Sequence, residues 1–445
     1  MQKISYRERN ILILIFFLII ISYFAGFLLN ENSAGGAEVD FENVKRNILT
    51  FKNNSFIDAI KSTATNDPEI FQSTRAPAFY VFNKYFNPFT TQVRFFQFFI
   101  TILSLLIPLF FFLSLKLKFK DTNKYILLLI SSCVLLSPYL RSSAFWGIEE
   151  NFGIIILSVT TFFYQLFIKS KDKEILNLFF LAIFSSLCVY SDQKLILIPL
   201  IILINILCLE RKTYLKFLLI ILYVILSIPF LYLIKLWGGI VPSGDAVRRA
   251  INIISFKLNY HYFLYSLSII AFYLFPIYLF KINYINFNFQ TLYQSKINNY
   301  FSIIFLIFLI YFLFYFNLSS MYYLGGGVFQ KLTNSIISDN LLLKKTILSI
   351  IFIFSWLIIL KFISNKFLNY VTILSLPFFS IIISPALFQE YFDPLIFFLI
   401  FFYTKNKIKL TFKNSIVYFI YFFIFWFTSI IYYNYFTCGA YCFKN

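Results

Sequence analysis

Hydrophobic residues run through this chain in long blocks, each closed by a short polar interval. Blocks of about 20 residues are the length needed to cross a hydrocarbon core of about 30 Å. About thirteen follow one another, at roughly 10–29, 95–115, 125–140, 152–168, 175–190, 195–209, 214–236, 262–280, 300–318, 343–363, 367–384, 393–404 and 414–434. None alternates with period two, and backbone groups in lipid must be paired within the protein, so the blocks predict helices. The chain reads as an all-α polytopic membrane protein, a single integral membrane domain over 1–445. The longest polar interval, 30–93, predicts a first loop with interfacial helices of its own. No internal repeat is visible, which argues against a transporter built from duplicated halves.

Composition agrees with the pattern. Hydrophobic residues make up 60% of the 445 and charged residues 13%, so a water-soluble fold could not hide the apolar surface. The net charge of +19 would suggest nucleic acid in a soluble domain. Here the cations cluster in short intervals between blocks, as at Lys116–Lys124, Lys169–Lys173, Arg211–Lys216 and Lys405–Lys413. Every second loop is basic, which places those loops and the N-terminus in the cytoplasm and the C-terminus outside. The first block follows Lys3, Arg7 and Arg9 without a small-residue cleavage site, so it reads as a retained signal-anchor. The host membrane would be an inner membrane in a bacterium or the endoplasmic reticulum in a eukaryote. Five cysteines and the lone His261 leave no zinc-ligand spacing. Cys438 and Cys442, on the outer side, could close a small disulfide loop.

The unusual polar residues fall in the other set of loops. Glu38, Asp40 and Glu42 stand close together soon after the first block. They suit a solvated loop or the acidic first turn of an interfacial helix, favoured by its dipole. They equally suit a base placed above the membrane to take a proton from a sugar hydroxyl. Later in that loop Ser73–Tyr80 places Arg75 before Pro77, a candidate phosphate contact or a snorkelling interface anchor. The stretch Arg141–Asn151 brings Glu149 and Glu150 to the opening of a block, where ionisable groups are costly without a partner or a job. Ser191–Lys194 is a tight polar turn containing Gln193. Trp237–Asp245 contains Gly238 and Gly239 and leads to Arg248 and Arg249, a backbone able to approach a ligand followed by paired cations. Ser384–Asp393 contains Glu390.

Taken in order, these patches resemble those of GT-C superfamily glycosyltransferases, and most nearly the dolichyl-phosphate-glucose-dependent alpha-1,2-glucosyltransferases. Asp40-Phe41-Glu42 is similar to the acidic first-loop motif of related glucosyltransferases. Thr74–Tyr80 resembles a Thr-Pro-Pro-Gly-Leu-Tyr type segment, keeping one proline. Glu150 matches an acidic position in the next external loop. Gln193 matches the glutamine of an Arg-Gln turn, with Asp192 in the arginine's place. Gly238–Asp245 resembles Gly-Gly-Ile-Val-x-Gly-Asp with one residue inserted. Pro385, Leu387 and Glu390 resemble a Pro-x-Leu-x-x-Asp segment, with Phe392-Asp393 in place of its Arg-His.

The resemblance implies a GT-C-like fold with external loops forming the active site. It implies transfer of a sugar, glucose in the nearest family, from a polyprenyl-phosphate donor to a lipid-linked glycan or other envelope acceptor. Inverting attack would use Asp40 as general base, with Glu38 as the alternate. Arg75, Lys194, Arg248 and Arg249 would stabilise the leaving phosphate. Glu42, Glu149, Glu150, Gln193, Gly239, Asp245 and Glu390 would contact substrate. No cofactor is required, although the paired carboxylates could take a divalent metal. The expected partners are the donor, the acceptor and membrane lipids, with no nucleic acid. The other classes are a lipid-linked-glycan flippase or transporter, which would want charges along its spans, and an envelope polysaccharide polymerase or ligase.

Overall fold

The computed structural model describes residues 4–63, 76–169, 173–237, 258–279, 296–320, 325–337, 340–363, 366–382, 386–406 and 408–436. Those residues contain helices and no strand. Among the described residues nine helices are long and apolar enough to cross a membrane, or ten if one bent pair counts as a span. The chain is therefore a multi-pass integral membrane protein.

Each of the thirteen apolar blocks coincides with helix, but not each with a full span. The blocks near 195 and 367 form Gln193–Leu207 and Phe367–Ser380, which are short apolar helices. The block near 393 forms only Leu395–Phe398 and the wider turn Leu399–Tyr403. At about 1.5 Å per residue these fall short of a 30 Å core. The block near 125 breaks into Lys124–Leu136 and Pro138–Trp146, bent by 66°. The cause is local. Pro138 cannot donate to the preceding turn and excludes a helical conformation at Ser137. Ser137 is accordingly extended, and its hydroxyl accepts from the Leu140 amide at 3.0 Å, starting the second arm.

The chain divides into two compact units. The first comprises Met1–Arg248 and Thr411–Asn445, the second Arg249–Leu410. In the first, α1 (Tyr6–Leu28) starts from a capping box, with Ser5 and Glu8 each bonding the other's amide. The first loop then folds into α2 (Ala37–Asn53), α3 (Phe56–Thr63) and α4 (Ala78–Phe86). A span follows, made of α5 (Val93–Leu103) and α6 (Leu106–Lys118). The bent pair supplies α7 (Lys124–Ser132) and α8 (Pro138–Trp146). Next come α9 (Glu149–Lys169), α10 (Glu174–Ser191), α11 (Leu197–Leu207) and α12 (Thr213–Trp237). The centre of this unit is α9, 72% buried and flanked by α6 and α10, whereas α12 is 11% buried and turns its apolar surface outward.

The second unit contains α13 (His261–Leu279), α14 (Lys296–Phe314), α15 (Gly327–Ile336), α16 (Leu341–Ile363) and α17 (Phe367–Ser380), followed by α18 (Leu395–Phe398). Its most buried span is α13, which packs on α16 and α17. The chain then returns to the first unit as α19 (Phe412–Ile431), which lies against α7 and α8.

Candidate functional site

The acidic cluster of the first loop opens α2. Gly36, in the left-handed region at φ 72°, turns the chain into the helix. Ala37, Phe41, Val44, Ile48 and Phe51 then form an apolar stripe at helical spacing, and all are buried. Glu38, Asp40 and Glu42 are exposed. At 100° per residue Glu38 and Glu42 share the side away from the stripe, while Asp40 lies on its other flank. Glu42 meets Lys45 at 3.8 Å, both of them exposed. The resemblance implies a substrate contact for Glu42, which here also pairs with Lys45 on the surface.

Aromatic side chains seat α2 on the rest of the unit. Phe41 meets Phe96 of α5 at 6.1 Å between ring centroids, Phe96 meets Phe79 of α4 at 6.4 Å, and Phe79 meets Phe152 of α9 at 5.8 Å. Asn47 donates to the Tyr80 hydroxyl at 3.0 Å, and Phe51 stacks on Tyr80. This explains Pro77 and its aromatic followers: Pro77 starts α4, which wedges between α2 and the first turn of α9. Arg75, from the same segment, lies outside the described residues.

Glu149 and Glu150 stand in the first turn of α9, Glu149 buried and Glu150 half-buried. The helix dipole favours carboxylates there. Gly147, at φ 71°, ends α8 just before them, and a Cβ on it would lie 2.7 Å from the Phe96 ring. One turn further along α9, a Cβ on Gly153 would come within 3.2 Å of Asp192 and 3.1 Å of Leu195. The turn between α10 and α11 thus packs directly on α9. In it Asp192 accepts from the Lys194 amide at 3.0 Å and meets the Lys194 ammonium at 3.4 Å. Asp192 therefore holds a cation at this turn. Gln193 is half-buried beside it. The carboxylates of α2, those of α9 and the Asp192–Lys194 pair are gathered at one end of the first unit.

The side chain that organises this end is one that motif reading left without a role. Arg141 on α8 is fully buried and paired with Glu31, three residues past α1. Its Nε donates to Glu31 Oε1 at 2.8 Å and its Nη2 to Glu31 Oε2 at 2.6 Å. Trp426 of α19 donates to Glu31 Oε1 at 3.0 Å, and the guanidinium lies 4.5 Å from the Trp426 ring. Glu31 and Trp426 carried no sequence signal, since neither sits in a cluster and they are separated by almost the whole chain.

Glu390 belongs to the second unit, in the turn Gln389–Tyr391. Gln389 accepts from the Val328 amide at 2.9 Å, capping α15, and donates to the Tyr273 hydroxyl at 3.0 Å. Gly326 donates to the Leu387 carbonyl at 2.8 Å, so this loop and the start of α15 are held together. Burial pushes the Lys331 ammonium of α15 down to about 8, and Glu390 acts against that shift. Gly239, Asp245, Arg248 and Arg249 lie outside the described residues, as do Cys438 and Cys442.

Among the described residues no group of three or more His, Cys, Asp or Glu side chains could hold a metal ion. No family model, no curated protein and no solved structure matches the chain.

Proposed function

We propose that the protein is a GT-C-like glycosyltransferase that takes a sugar from a polyprenyl-phosphate donor and transfers it, with inversion, to a lipid-linked glycan or other envelope acceptor. The observation that carries this reading is the seating of α2. An amphipathic helix directly after the first span exposes Asp40 and Glu38 at the end of the unit that also gathers Glu149, Glu150 and Lys194. A carboxylate in such a place can accept the proton of an attacking hydroxyl. The leaving group is a phosphate, which needs positive charge more than an acid. Lys194 offers a cation at this end, and Arg75, Arg248 and Arg249 are the further candidates. With the bilayer thinned around them, the shorter apolar helices would complete thirteen crossings, with a cytoplasmic N-terminus and α2 on the outer side. The membrane would be the inner membrane of a bacterium or the endoplasmic reticulum of a eukaryote.

The test is turnover of labelled polyprenyl-phosphate sugars by the purified full-length protein. Asp40→Asn keeps shape and hydrogen bonding but cannot take the proton. Transfer should fall by a factor of roughly 10² to 10⁴ while donor binding persists. If Glu38→Gln is dead and Asp40→Asn turns over normally, the base is Glu38. If both turn over normally, the acidic cluster is a solvated helix turn and the transferase reading fails.

A further inference from the structure

We infer that Glu31 and Arg141 are a positioning pair, which sets the place of the α2 carboxylates relative to those that open α9. The inference rests on the transferase reading for its consequence in catalysis, but not for its structural content.

The pair is built with unusual completeness. Arginine carries five N–H donors. Those of Arg141 find Glu31 Oε1, Glu31 Oε2, the Ser22 carbonyl at 2.7 Å, the Ser22 hydroxyl at 3.4 Å and the Leu135 carbonyl at 3.3 Å. The backbone of Glu31 is held as well. Its amide donates to the Gly26 carbonyl at 2.9 Å, and its carbonyl accepts from the Trp146 indole at 3.2 Å. Gly26 leaves the room this needs, since a Cβ there would lie 2.3 Å from Glu31 Oε2 and 2.5 Å from Arg141 Nη2.

The residues after Glu31 continue the attachment. The Ser33 hydroxyl donates to the Pro138 carbonyl at 3.0 Å, and the Ala34 amide donates to the Ser142 hydroxyl at 2.9 Å. Both partners lie on α8. Gly35, at φ 73°, passes so near Tyr433 that a Cβ would meet that ring at 2.5 Å. The next residue but one begins α2. The same α8 ends at Gly147 and hands the chain to Glu149 and Glu150. Both sets of carboxylates are therefore referenced to one helix, and the bidentate bridge fixes the rotation and height of the linker between α1 and α2.

Stability alone does not account for such a pair. Taking two charges out of water costs nearly what their attraction returns, and well-packed apolar side chains serve a core as well or better. What a planar two-bond bridge adds is geometry. Displacing a reacting group by about 1 Å can cost roughly 10²-fold in rate.

The experiment uses the full-length protein in lipid nanodiscs. Arg141→Lys keeps the charge and loses the fork. The double variant Glu31→Gln with Arg141→Met removes both charges at similar volume. Amide hydrogen exchange is followed across α2, α9 and α10, and donor KM and kcat are measured with a labelled polyprenyl-phosphate sugar. In both variants exchange should rise about tenfold or more in α2 and stay level in α9 and α10. Transfer kcat should fall about 10- to 100-fold with donor KM within about twofold. Unchanged protection of α2 overturns the inference. So does a rise spread evenly over the unit, which marks the pair as general support, or failure of the double variant to fold. A rise in donor KM with α2 still protected also overturns it, because the pair would then touch substrate. A wild-type protein that transfers no sugar defeats the transferase reading, and the exchange arm still decides the positioning role.

Discussion

Glu31 and Glu42 both stand in the first loop, and each has a basic partner, yet their situations are opposite. Glu42 meets Lys45 three residues along the same helix, at 3.8 Å, with side chains 57% and 45% exposed. Glu31 meets Arg141 across 110 positions, through two bonds of 2.6 and 2.8 Å, with side chains 8% and 0% exposed. A solvent-exposed pair contributes about 0–1 kcal/mol, because water screens it and two long side chains must be ordered. A buried pair adds little net stability, but removing one partner leaves a charge with nowhere to go, at about 3–5 kcal/mol. The clustered carboxylates Glu38, Asp40 and Glu42 are thus on the surface, where chemistry can use them. The charges that hold them in place are sunk in the unit and scattered along the chain.

The comparison breaks first at Arg141. Arg141→Ala should destabilise the first unit by about 3–5 kcal/mol, read as an early thermal unfolding transition in detergent. A loss below 1 kcal/mol would put Arg141 in the same class as Lys45. Gly26→Ala should come next, at about 1–3 kcal/mol, because the added methyl pushes directly into the closed bridge. Its sharper form is suppression: in the Glu31→Gln, Arg141→Met background the same Gly26→Ala should cost measurably less. Equal cost in both backgrounds would mean that Phe145, the third neighbour of that methyl, is what matters.

Lys331 of α15 offers an intermediate case. Burial pushes the Lys331 ammonium down to about 8 while Glu390 opposes the shift. The unfolded lysine keeps its proton up to about 10.4. Between those values the unfolded chain binds more protons than the folded one, so this group's contribution to stability rises with pH from about 8 and levels off above the unfolded value. Glu390→Gln should lower the Lys331 pKa further. Acetylation of Lys331 near pH 8, followed by mass spectrometry, should then speed up relative to an exposed lysine such as Lys45, and an unchanged ratio would remove Glu390 from the account. The smallest effect belongs to Glu42→Gln, expected within about 1 kcal/mol and without effect on the protection of α2. A large loss there would erase the distinction between the two acidic partners.

Much of the architecture was legible because membrane burial is a local property. Every apolar block, from 10–29 to 414–434, coincides with helix, and the long polar interval 30–93 carries α2, α3 and α4. What block length overstates is crossing. Nothing in the run at 125–140 except Ser137-Pro138 announces the 66° bend, and the runs near 195, 367 and 393 end before a bilayer's thickness is spanned. The candidate site is legible in part for the same reason: Glu38, Asp40, Glu149 and Lys194 stand in polar clusters between apolar blocks. Arg141, Glu31 and Trp426 stand far apart along the chain, and isolated residues carry no local pattern.

The sequence by itself determined that this is a multi-pass helical membrane protein. It also predicted that the long polar interval 30–93 carries helices of its own. Both follow from hydrophobic spacing, which needs only neighbours a few residues away. Only the tertiary structure decided that Glu31, Arg141 and Trp426 meet, that Gly26 makes room for them, and that α2 and the start of α9 are referenced to α8. A buried bidentate bridge is selected by distance and angle among groups from three helical regions. Those quantities exist once the helices have packed, and no spacing along the chain encodes them.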